Sequence, residues 1–299
     1  MTPRWLLILP ILLAFASPAE ATTSGELLEP LFESLEGRSE VWMLQFRAWG
    51  LYLAGILALL QIVLFVVQRM LLSGAETSLF DALVGFGRRY VWMALCVSVL
   101  LGWPLFGPVL IQLFLEIAID VTGLPALSPA TLIDQGIGLA TTIFSSQSLT
   151  MWTITGQIFH FILIVLLLTF AYVTMAIAVS RVLVESLLVV TLGPLFWATS
   201  LFEHTAAIAE GLVRAGVKVG VKLLLMYLMV DWLGGFGALW ATDLEAMAWW
   251  NPGDQLGTLL NYAVAAVLIS TLVSVLPGYF ANQLVGSWSP PLRQALAIR

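Results

Sequence analysis

No Lys or Arg occurs in residues 90–180 of this chain. The cations gather instead at Arg69, Arg88 and Arg89; at Arg181; at Arg214, Lys218 and Lys222; and at Arg293 and Arg299. Long apolar runs separate these clusters. That spacing is the layout of a polytopic membrane protein whose orientation is set by cations retained on the cytoplasmic side. Composition agrees. Charged residues make up 10% of the chain and hydrophobic residues 60%, with mean hydropathy +0.99; a soluble domain carries about 25% charged residues. Several of the twelve Trp, including Trp42, Trp49, Trp92, Trp152, Trp240, Trp249, Trp250 and Trp288, stand near the ends of apolar runs, where an amphipathic ring suits the headgroup layer. The single Cys96 excludes a disulfide framework and a Cys-type metal site.

Residues 1–21 resemble an export leader, with Arg4, an apolar core from Trp5 to Phe15, and small residues at Ala19 and Ala21. Pro10 and the shortness of the run favour cleavage over retention as a spanning helix. Such a leader puts the mature amino terminus in the periplasm. Residues 22–48 then form an acidic segment in which Leu27, Leu28, Leu31, Phe32 and Leu35 recur at helical spacing among four Glu. A periplasmic amphipathic helix is expected there.

Residues 49–276 hold the spans. The first runs from Trp49 to Val67 and ends at Arg69. The second, Val91 to Ile117, is interrupted by Gly102, Pro104, Gly107 and Pro108, so a kinked or broken span is expected. In the connection that follows, Ser128-Pro129 has the form of an N-cap and first helical residue, leading an apolar stripe of Leu132, Ile133, Gly136, Ile137 and Ala140. The third span is Gln157 to Val179. Two more are Val219 to Trp240 and Leu256 to Leu276, and residues 277–299 form a cytoplasmic tail.

Val182 to Phe202 is as apolar as a span, yet it follows Arg181 without a loop. Were it to cross the membrane, Arg214, Lys218, Lys222 and the basic carboxyl terminus would all lie outside, against the charge rule. A re-entrant helical hairpin that bends at Gly193-Pro194 resolves the conflict. The expectation is therefore an all-α chain of about five spans plus one re-entrant hairpin, amino terminus periplasmic and carboxyl terminus cytoplasmic.

No catalytic constellation is legible. His160 and His204 lack companions for a metal site, and no G-x-x-x-x-G-K-[ST] loop exists. Neither enzymatic activity nor a cofactor is expected. Ionisable groups inside apolar runs are the informative minority, because each needs a partner or a watery face. Arg181 and Glu185, four residues apart, can pair on one helix face. Asp231 stands deep in its span, beside Gly234, Gly235 and Gly237. Arg214, Lys218 and Lys222 share a face that either holds the loop in the cytoplasm or meets anionic substrate or lipid. Gly216 and Gly220 form a small-x-x-x-small pair that permits close helix approach.

Leu192-Gly193-Pro194-Leu195-Phe196, then Leu201-Phe202, Thr205 and the basic helix, resemble the central region of the TrbL family, polytopic inner-membrane subunits of conjugative type IV secretion systems. The ending Pro277, Ala281, Leu284, Val285, Gly286 is similar to the family's as well. Many relatives carry a long polar tail, whereas the sequence here stops soon after Pro290-Pro291. The resemblance implies a multi-pass protein of the bacterial inner membrane that helps DNA or protein substrate cross it. Its partners would be other secretion subunits, membrane lipid, the translocated DNA or protein, and further copies of itself. On this likeness Gly193 and Pro194 shape the hairpin, Arg214, Lys218 and Lys222 face the cytoplasmic mouth, and the span-two breaks line or gate the path. An ion- or proton-coupled small-molecule transporter using Glu185 and Asp231 is the alternative.

Overall fold

The computed structural model describes residues 24–72, 79–124, 128–146, 158–202, 205–246 and 252–286. The leader expected over residues 1–21, His204 and the end of the tail, 287–299, lie outside them. Seven α-helices make up the described residues: α1 Ser24–Leu72, α2 Leu79–Leu101, α3 Trp103–Thr122, α4 Pro129–Ser146, α5 Ile158–Ala198, α6 Ala206–Ala246 and α7 Pro252–Gly286. A 3-10 turn, Thr199–Leu201, closes α5.

Backbone chemistry sets the boundaries. Gly102 separates α2 from α3 because Pro104, in the first turn of α3, has no N–H to continue the ladder. Hydrogen bonds bridge the junction: the Gly102 amide donates to the Ser98 carbonyl at 3.0 Å and the Phe106 amide donates to Gly102 at 3.1 Å. The expected break in span two is therefore present at Gly102. Gly123, with φ of 65°, ends α3 in the left-handed region that glycine enters without steric cost. Ser128 caps α4 as expected, its Oγ accepting from the Ala130 amide at 3.2 Å. The acidic segment and the first span form one unbroken helix, since α1 passes through Trp49 without interruption.

Among the described residues, five helices are long and apolar enough to cross a membrane: α1, α2, α3, α5 and α7. The number equals the expectation. Span two divides into α2 and α3, and the segment Val219 to Trp240 lies within α6.

Val182 to Phe202 does not bend at Gly193-Pro194. Helix α5 continues through both residues to Ala198 and ends in the 3-10 turn Thr199–Leu201. A helical hairpin does exist, but its arms are the second half of α5 and the first half of α6, held together by the Lys222–Glu185 contact. The physical reason for the continuity is local. Proline at 194 frees the carbonyl of Val190, four residues back. The indole Nε1 of Trp103 donates to that carbonyl at 2.9 Å, so the missing ladder bond is replaced rather than opened into a turn.

The main core gathers Leu168, Tyr172, Met175 and Val179 of α5, Leu223, Met226 and Val230 of α6, and Ala263, Ala266 and Val273 of α7. The α4 stripe joins it through Leu132 and Ile143, and Gly136 lies against Tyr172 so closely that an added Cβ would stand 2.6 Å from the tyrosine Cβ. A second cluster unites Ala54 of α1, Met93, Cys96 and Leu100 of α2, and Ala198 and Leu201 at the far end of α5.

That second cluster fixes the relative height of the apolar runs. Gly50 meets the Pro194 backbone; a Cβ there would stand 2.7 Å from the proline carbonyl oxygen. Pro194 lies fifteen residues past Val179, about 22 Å farther along α5 at 1.5 Å per residue. The first apolar run thus begins beyond the end of the third. The apolar segments form two tiers along the bundle axis, and a hydrocarbon layer of about 30 Å does not cover both.

Candidate functional site

Between α5, α6 and α7 lies a cleft of about 750 Å³ that collects most of the ionisable residues singled out in the sequence. Arg181 and Glu185 come from α5, Lys218 and Lys222 from α6, and Ser274, Pro277 and Asn282 from α7. Four-residue spacing places each pair on one helix face, and the antiparallel packing of α5 and α6 turns the two faces toward each other. Pro277 lies inside α7 and lines the wall of the cleft.

Glu185 is the hub. It contacts Lys222 across the helix pair, and its Oε1 stands 3.4 Å from Arg181 Nε within α5. The Arg181 side chain is 80% exposed, whereas that of Lys222 is 15% exposed. Lys218 lines the same cleft and has neither ion pair nor hydrogen bond among the described residues. The cleft is electropositive: Glu185 pairs with Lys222 and with Arg181, and Lys218 has no partner among the described residues.

The cations at 214, 218 and 222 do not form an open face. All three are half-buried. Arg214 Nε is buried and has no hydrogen-bond partner among the described residues. Asp231 is exposed on the outer surface of α6 beside the exposed Trp232. It does not line the Glu185 cleft. His160 is exposed beside Phe159. No group of three or more His, Cys, Asp or Glu able to hold a metal is found among the described residues.

Gly193 and Pro194 are assembled with the span-two breaks into one knot. Trp103 is nearly buried, with its ring wedged between Gly193 of α5 and Gly107 of its own helix; a Cβ at either glycine would collide with the indole. Pro104 starts α3 and Pro108 lies within it. Two more indoles tie the same region. Trp197 Nε1 donates to the Cys96 carbonyl at 3.2 Å, and Trp92 Nε1 reaches the Ser200 carbonyl at 3.5 Å. The Ser200 hydroxyl donates to Cys96 Sγ at 3.3 Å. Sequence reasoning missed Trp103 and Trp197. The available signal was a Trp next to a Gly-Pro break, paired with a second Gly-Pro break elsewhere.

The glycine pair of α6 does admit a neighbour. Leu110 and Phe114 of α3 lie over Gly216 and Gly220. Such close approach is the packing that small residues permit between helices in lipid.

The sequence model of the family described as TrbL/VirB6 plasmid conjugal transfer protein matches residues 68–276. That interval takes in the indole knot, the cleft residues of α5 and α6, and the α3–α6 contact. Comparison with curated proteins and with solved structures returns no match.

Proposed function

The chain belongs to the TrbL/VirB6 family of plasmid conjugal transfer proteins, and from that premise we propose that it is an inner-membrane channel and assembly subunit of a conjugative type IV secretion apparatus. The family match carries this reading. Five helices of membrane-spanning length and composition support it, since passage of DNA or protein through a bilayer needs a protein path built from such helices. A single copy hardly encloses a wide pore, so further copies and other secretion subunits complete the path. The protein's part is structural: it organises neighbours and contributes wall.

Direct guidance of a long polyanion by Arg214, Lys218 and Lys222 is not part of the proposal, because that stripe is half-buried against α5. The coupled-transporter alternative has little support in the geometry. Asp231 stands outside the cleft, and Glu185 is neutralised by Lys222.

The test is genetic and biochemical together. Deleting the gene from a donor should abolish plasmid transfer, and restoring it should recover transfer. The tagged protein should fractionate with the inner membrane and bring other envelope components with it. Undiminished transfer from the deletion donor would overturn the proposal. So would solute uptake into liposomes by the purified chain alone.

A further inference from the structure

We propose that the cleft between α5, α6 and α7 is a binding site for the phosphodiester headgroup of an anionic phospholipid. Three observations converge. The first is charge. Arg181, Lys218 and Lys222 face the cleft with Glu185 as the sole opposing carboxylate. Lys222 is engaged by Glu185, which leaves Lys218 without a partner among the described residues and Arg181 reaching outward. A phosphodiester accepts from Lys218 and from the Arg181 guanidinium N–H groups that Glu185 does not take, and leaves the Lys222–Glu185 pair intact.

The second is the rim. Ile177 and Leu188 border the same cleft and are 62% and 46% exposed. On α7, Val275 and Tyr279 stand exposed next to the lining residues Ser274 and Gly278. A ligand that fits cations on the floor and apolar side chains on the lip is an amphiphile with an anionic head. An inorganic anion leaves the lip uncovered, and a nucleic acid has no acyl chain to lay there.

The third is height. Arg181 follows directly on the apolar run that ends at Val179, and the cleft lies below the level of Pro194, where the second tier begins. The cleft therefore sits between the two tiers, next to the end of the one that closes at Val179. With the hydrocarbon over that tier, it falls at headgroup level. Basic pockets between spanning helices at that depth are where anionic headgroups bind.

The inference is independent of the proposed transport role, and its test does not use transfer. The full-length chain is purified in detergent, stripped of lipid, and titrated with phosphatidylglycerol or with phosphatidylcholine of the same acyl chains. Bound lipid is counted by native mass spectrometry. Phosphatidylglycerol should be retained about tenfold more than phosphatidylcholine. Arg181→Gln and Lys218→Gln should each reduce that preference roughly fivefold, the effect of one cation near an anionic headgroup, while Lys218→Arg should keep it. Circular dichroism of each variant should match the parent. Equal retention of the two lipids would overturn the proposal, as would an unchanged preference in both Gln variants. Displacement of phosphatidylglycerol by millimolar inorganic phosphate would assign the site to a free anion instead. Displacement by micromolar single-stranded oligonucleotide would assign it to nucleic acid.

Discussion

Trp103 is the residue on which most of the long-range order converges. Its indole satisfies the carbonyl that Pro194 leaves open, and its ring fills the space that Gly193 and Gly107 leave empty. Trp103→Phe keeps much of the ring but strands the Val190 carbonyl in apolar surroundings, which costs about 1–3 kcal/mol. Gly193→Ala ordinarily favours a helix by up to about 1 kcal/mol; here the new methyl strikes the indole, and overpacking of that kind costs about 1–3 kcal/mol. Both variants should therefore lower the melting temperature in detergent, measured by intrinsic fluorescence. The double variant should lose less than the two single losses added, because the two act on one contact. Gly193-Pro194 was legible in the sequence as an unusual site, but its role was not. The partner that decides between a turn and an uninterrupted helix lies in a different helix, Trp103, and no local pattern names it.

Lys222 and Glu185 act at the scale of paired elements. They join the two arms of the hairpin formed by α5 and α6, where the sequence showed Arg181–Glu185 within one helix but not the cross-helix contact. Removing one partner leaves a charge poorly solvated, whereas replacing both with apolar residues of similar volume removes the problem. Lys222→Met should lower the melting temperature more than Lys222→Met combined with Glu185→Leu. A double variant less stable than the single one would show that the pair contributes net attraction. Other features of the elements were well marked in sequence. The break at Gly102 followed from Pro104, the start of α4 from Ser128-Pro129, and the close approach at Gly216 and Gly220 from their small size. All of these are decided by the residues themselves. The continuity of α5 was not, because parity counting assumes that each apolar run is either one crossing or one re-entry.

At the scale of the whole molecule, two apolar tiers are stacked along one axis. Hydropathy cannot reveal this, since it records how apolar a run is and not which other run lies beside it. The arrangement is open to cross-linking. In a Cys96→Ser background, cysteines introduced at Ala54 and Ala198, which share one cluster, should join with a short bifunctional reagent. Ala54 paired with Ala171, which belongs to the other cluster, should not. Reversal of those outcomes would place the first and third apolar runs side by side and remove the tiers. Cysteines at positions 204 and 297 report orientation, and both are expected to be shielded from reagents applied outside the cell.

The apolar stretch of α5, Ile162–Leu201, measures about 60 Å at 1.5 Å per residue, twice the thickness of a hydrocarbon layer of about 30 Å. Acyl chains solvate at most half of it. The remainder needs a proteinaceous sheath, and Val182, Ala198 and Leu201 are already wrapped by neighbouring helices. Excised from the chain, the whole stretch would be insoluble in water and too long for lipid, so its hydration is settled by the company it keeps.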